Sequence, residues 1–208
     1  MSTASELITK AFQHRVIRNA SALALLHVVS YIAPLIVLRH LTRVLGLETY
    51  GIVALSVGMI QLLGVFIDFG FTLSGAHKVS VWRDKKRYIS KFIGAVFVIK
   101  LAIFLILAIG EVLYALSTKK YSGHADLFLW SLLPMLGLGF QADWFFMGIE
   151  KMRYITIFSI IAKIFFVFSI LFLVAETTDY LWIPILDGVA RTIATLISIY
   201  FIYQSGYY

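Results

Sequence analysis

The chain has 208 residues, 61% of them hydrophobic and only 14% charged, with a mean hydropathy of +0.91. A soluble domain is excluded, because too little polar sequence remains to cover so apolar a core, and the absence of cysteine excludes disulfides and thiolate metal sites. The net charge of +7 would point to nucleic acid in a soluble protein. Here the basic residues gather between apolar runs of membrane-spanning length, so no nucleic-acid partner is expected.

Residues 1–15 read as a polar, amphipathic lead-in, with no cleavable signal, since Ala22-Leu23-Ala24 falls at the start of the first apolar run rather than after it. Span one covers about 16–38, with Asn19, His27, Tyr31 and Pro34 recurring on one face. Pro34 cannot donate to the helix ladder and predicts a bend. Leu45–Tyr50 is a short turn with Gly46 as helix terminator. Span two covers about 50–71, and its Gly58 and Gly64 predict close helix packing.

Residues 72–91 form the most basic loop, with Lys78, Arg83, Lys85, Lys86, Arg87 and Lys91 against Asp84. Span three, about 92–114, carries Lys100 in its middle and Glu111 three turns on. Span four, about 126–148, is made bendable by Pro134, Gly137 and Gly139, and ends in Trp144, Phe145 and Phe146, aromatics suited to the headgroup level. Span five, about 154–175, puts Thr156, Ser159 and Lys163 on one face. Span six, about 180–203, carries Tyr180, Pro184, Asp187, Arg191 and Ser198 along one stripe, and 204–208 is a short tail.

The expected fold is therefore all-α and integral to the membrane, a single bundle of six helices over 16–203 with no soluble domain. With the N-terminus inside, eleven basic residues fall on the inner side (Lys10, Arg15, Arg18, the six of 78–91, Lys151 and Arg153). Four fall outside (Arg39, Arg43, Lys119 and Lys120). That excess predicts both termini in the cytoplasm.

Ionisable groups in the hydrocarbon zone cost about 2.5–3.5 kcal/mol each on insertion scales, so they mark cavities, pairs or function. Asp187 and Arg191, four apart with the acid first, predict an intrahelical pair. Lys163 has no acid one turn away and reads as facing a wet cavity. Lys100 reaches Glu111 only over three turns, and His27 reads either as a coupling group or as a neutral imidazole bonded to a carbonyl. Cations suit phosphate oxygens, while hydroxyls and aromatic faces suit sugars. Lys163, Arg191, Lys100, Tyr31 and Asn19 are the expected substrate-binding residues, and Asp187 and His27 the expected coupling residues. The histidines at 14, 40, 77 and 124 lack ligand spacing, and no HExxH, P-loop or dinucleotide turn occurs. Neither a metal nor a cofactor is expected.

The run Trp144-Phe145-Phe146-x-Gly148-Ile149-Glu150-x-Met152 resembles the short loop between the fourth and fifth helices of bacterial O-antigen and polysaccharide flippases. These belong to the multidrug/oligosaccharidyl-lipid/polysaccharide exporter superfamily. Pro34, Arg39, Leu45-Gly46, Tyr50-Gly51 and Asp68-Phe69-Gly70 extend the match, which runs from about Asn19 to Arg191. The resemblance implies a non-enzymatic transporter of undecaprenyl-diphosphate-linked oligosaccharide across the bacterial inner membrane. It implies alternating access coupled to a proton or cation gradient, among membrane lipid and beside the polysaccharide polymerase machinery.

Members of that family carry two bundles, so these six spans would be the N-terminal lobe. The ending Tyr203–Tyr208 reads as a premature stop where a linker would start. A homodimer, a separate C-terminal half and an inactive fragment are the options. A drug or cation exporter of the same superfamily would favour acids at mid-span. A membrane-embedded glycosyltransferase or polymerase acting on polyprenyl phosphates would need a long outer loop or clustered carboxylates; the sequence has neither.

Overall fold

Among the described residues of the computed structural model every regular element is helical. The order is α1 (Ser2–Asp68), α2 (Phe71–Val81), α3 (Lys86–Ser117), α4 (Ala125–Phe140), α5 (Asp143–Gly148), α6 (Met152–Leu173), a 3-10 turn (Thr177–Leu181) and α7 (Trp182–Gln204). The structure describes the backbone of residues 2–118 and 123–206, and side chains at 21, 24, 27–118 and 123–206. The side chains of the lead-in and of Asn19, and all of Lys119 and Lys120, lie outside the described residues.

Five helical stretches are long and apolar enough to cross a membrane: His27–Val81, Lys86–Ser117, Ala125–Gly148, Met152–Leu173 and Thr177–Gln204. Their outward side chains are as apolar as their inward ones. Val65, Val98, Ile106 and Phe172 are exposed on the bundle, as a protein solvated by lipid requires. This is an all-α multi-pass membrane protein. The first stretch, 55 residues long, holds the difference between five stretches and the six expected, because α1 is interrupted at Gly46 (φ 74°, ψ 168°).

The packing gives the direction of the two arms of α1. In the first arm Ser30 meets Lys163 in mid-α6, and His40 meets the Val174 carbonyl just past the end of α6. This arm therefore runs parallel to α6. In the second arm Val53 packs with Leu127 at the start of α4, while Ile67 packs against Gly139 at its end. That arm descends along α4. The start of α4 and the end of α6 share one cluster, Leu127 with Ile170 and Val174, so the two arms run in opposite directions.

Gly46 makes this reversal in a backbone region essentially reserved for glycine. A Cβ there would meet no atom within 4 Å, so the constraint is conformational rather than steric. Gly46→Ala is expected to destabilise the bundle by about 1–3 kcal/mol, read by thermal unfolding in detergent. An unchanged midpoint would show that the reversal does not depend on glycine.

Two expectations are corrected. Residues 72–91 are not a loop, since they contain α2 and the first turn of α3. At about 16 Å, α2 is too short to cross a membrane. It is held by packing on α5, where Gly75 lies against the Trp144 ring and Gly148 against Val79. Arg83 adds a tie by donating to the Gly148 carbonyl and the Glu150 carboxylate, each at 3.0 Å.

Trp144, Phe145 and Phe146 are not a headgroup belt. They are 0%, 0% and 2% exposed and centre a core cluster with Ile89, Ile93, Val96 and Phe158. The helix breaks at Gln141–Ala142, and α5 turns these rings inward.

The glycines of α4 make close contacts. Gly137 touches Arg191 and Thr192, and Gly139 touches Ile67. In α1, Gly64 packs on Leu138 as its spacing predicts, whereas Gly58 faces open space.

Candidate functional site

A cavity of about 510 Å³ opens between both arms of α1, the α4–α5 break, α6 and α7. That volume lies in the range of small-molecule sites. Polar groups from each wall converge there: His27 and Ser30 from the first arm of α1, Gln61 from the second, Gln141 and Asp143 at the break, Ser159 and Lys163 from α6, and Asp187 and Arg191 from α7. The remaining wall is largely aliphatic.

On α1 the lining positions His27, Ser30, Pro34, Val37 and Leu41 step by three and four residues, one face of a helix. Tyr31 is one step off that face, does not line the cavity and is 73% exposed. On α6, Ser159 and Lys163 are one turn apart, and Lys163 Nζ donates to Ser30 Oγ at 2.7 Å. Thr156 sits one turn earlier but is buried, its hydroxyl directed at the Met152 carbonyl.

On α7, Arg191 Nε donates to both Asp187 oxygens at 2.8 and 2.9 Å, the i,i+4 geometry that the sequence predicts. This bond uses only Nε. The terminal Nη groups of the guanidinium keep four donors, in a side chain that is 26% exposed.

Of the expected site residues, the structure brings together His27, Lys163, Asp187 and Arg191. Lys100 stands elsewhere. It is 1% exposed, and its ammonium donates to Asp68 Oδ1 at 3.1 Å and to the Gly139 carbonyl at 3.0 Å. Asp68 is anchored in turn by the amide and hydroxyl of Thr72, so this pair fastens α3 to the ends of α1 and α4. Glu111, the acid considered for Lys100, accepts from Ser131 on α4 instead.

Ser30, Gln141 and Asp143 line the cavity without being among the expected site residues. Their signal in the sequence is three polar side chains inside stretches otherwise apolar enough to span a membrane, and an aromatic run that suits a membrane edge masks Gln141 and Asp143. Among the described residues no three His, Cys, Asp or Glu side chains gather as a metal site.

The polysaccharide biosynthesis protein family matches residues 16–207 of the chain. Over 191 residues the chain is 30% identical to a candidate O-antigen transporter of Shigella dysenteriae, an alignment covering 91% of this chain and 48% of that protein. It is 26% identical over 191 residues to a candidate O-antigen transporter of Escherichia coli strain K12, covering 91% and 46%. The chain thus spans about half the length of the curated relatives it matches. No solved structure matches it significantly.

Proposed function

From the premise that this chain belongs to the polysaccharide biosynthesis protein family, we propose that it forms one lobe of a flippase. The flippase carries undecaprenyl-diphosphate-linked oligosaccharide across the bacterial inner membrane by alternating access, without enzymatic turnover. Its similarity to two candidate O-antigen transporters supports the cargo class. The observation that carries the reading is the pair Lys163 and Arg191 in one cavity at the middle of the bundle. Lys163 and the Nη donors of Arg191, which its bond to Asp187 through Nε leaves over, favour an anion at that point of the wall, and guanidinium and ammonium both match phosphate oxygens.

In this reading the diphosphate lies across Lys163 Nζ and the Nη groups of Arg191. Asp187 orients Arg191 through Nε and, with His27, is a candidate coupling group. Lys100 holds the scaffold instead of the cargo. The N-terminus is cytoplasmic, on the excess of basic residues in the inner segments. A second lobe, in the same polypeptide, a separate one or a second copy, supplies the other wall that alternating access needs.

Binding to the full chain in nanodiscs tests the proposal. Undecaprenyl diphosphate should bind, uncharged undecaprenol should not compete, and Lys163→Met should weaken binding roughly tenfold or more, the cost of one charge-assisted contact. Equal binding of the diphosphate and the neutral alcohol would sink the assignment.

A further inference from the structure

The cavity has two chemically different ends, and the anion uses only one. On α6, Ser159 precedes Lys163 by four residues, about 6 Å along the axis, on the side nearer the α4–α5 break. On the opposite wall Gly137 packs against Arg191, and Gln141 follows Gly137 by the same four residues. Both walls therefore step from a cation to an uncharged polar group over one turn, in the same direction. Gln141 Nε2 and Ser159 Oγ face each other at 3.5 Å. Asp143 joins them on the lining, whereas Gln61, one turn before the Gly64 that packs on Leu138, lines the cavity nearer the level of the cations.

Asp143 accepts from the Gln141 side chain and has Lys100 and Asp68, which pair with each other at 3.1 Å, as charged neighbours, whereas Lys163 has Arg191 and Asp187.

The geometry points to a saccharide subsite at Asp143, Gln141 and Ser159, which takes the hydroxyls of the hexose joined directly to the diphosphate. This rests on the diphosphate reading of Lys163 and Arg191. A carboxylate accepts from two vicinal hydroxyls, and the Gln141 amide and Ser159 hydroxyl both donate and accept, as a sugar hydroxyl does. One turn of helix separates Gln141 and Ser159 from the level of the cations, about the reach from a sugar ring to the phosphate on its anomeric oxygen. Asp143 also repels phosphate, so it fixes which end of the headgroup enters first.

Two probes on the full chain in nanodiscs test this: farnesyl diphosphate, and the same diphosphate bearing glucose. The glucose-bearing probe should bind the unaltered chain roughly tenfold more tightly. Asp143→Asn should bring the ratio of the two affinities close to one, and Ser159→Ala, on a different helix, should reduce it. Thermal unfolding checks that each variant is folded.

A ratio near one in the unaltered chain, or one that both variants leave intact, overturns the subsite while the diphosphate reading stands. Failure of both probes to bind overturns both. A sodium-dependent change in tryptophan fluorescence that Asp143→Asn abolishes, without any sugar preference, would make this a cation site and also overturn the inference.

Discussion

Gly188→Val is expected to cost about 3 kcal/mol or more of bundle stability, and Gly188→Ala roughly half as much. An ideal Cβ at Gly188 would lie 2.5 Å from Leu133 Cγ and 2.8 Å from the backbone nitrogen of Pro134. The side chain could yield, but the backbone of Pro134 cannot. The same contact is built from the other side. A Cβ at Gly137 would lie 2.6 Å from Arg191 Cβ and 3.0 Å from the Thr192 nitrogen, and Thr195 donates to the Gly137 carbonyl at 2.9 Å.

Helices α4 and α7 thus meet backbone to backbone. Within a bilayer such close packing replaces the hydrophobic effect as the force between helices. Far-UV circular dichroism during titration of detergent micelles with dodecyl sulfate measures the loss. Gly58→Ala is the control: its Cβ meets nothing within 4 Å, and it should stabilise by about 1 kcal/mol through helix propensity. If Gly188→Val and Gly58→Ala behave alike, α4 and α7 are not packed as described.

Lys100→Met is expected to cost about 3 kcal/mol, the lower end for breaking a buried pair, because Asp68 stays 30% exposed and keeps its bonds from Thr72. The methionine fills most of the space but leaves the Gly139 carbonyl without its donor. Asp68→Asn alone should cost less. The double variant should be more stable than the sum of the two single losses implies, with a coupling energy of about 0.5–3 kcal/mol for groups in contact. The same unfolding titration reads all four proteins. An unaltered stability together with lost diphosphate binding would return Lys100 to the cargo site where its sequence position first put it.

The choice between those two roles for Lys100 shows where sequence reasoning reaches its limit. An ammonium in the middle of a span demands a partner wherever it lies, and that much is local. Asp68 lies 32 residues away in another helix, however, and the sequence offered Glu111 in the same one. Lys163 lines a cavity, as the lack of an acid one turn away implies, and the Asp187–Arg191 pair needs only helical spacing. On α1 it is Ser30, not the expected Tyr31, that lines the cavity. One residue is 100° of rotation, and the sequence of a helix apolar on every side does not determine which face turns inward. The aromatics at 144–146 depart from the expectation for a related reason: rings flanking a charged turn suit a membrane interface as well as a core, and only the packing of α2 on α5, with Gly75 against Trp144 and Gly148 against Val79, makes them core.

The sequence by itself determined the class, the membrane location, the reversal at Gly46 and the family. These follow from local properties: runs of apolar residues long enough to cross a bilayer, a glycine where a helix must turn, and short motifs in a particular order. Only the tertiary structure decided which polar side chains share a cavity, that Lys100 is bound to the scaffold, and that the helix at Gln141–Ala142 breaks to bring Asp143 to the cavity. Those outcomes depend on how each helix is rotated about its own axis, which is set by backbone-level contacts at Gly137, Gly139, Gly148 and Gly188. Such contacts join residues far apart in the chain, and no periodicity within one helix encodes its rotation against the next.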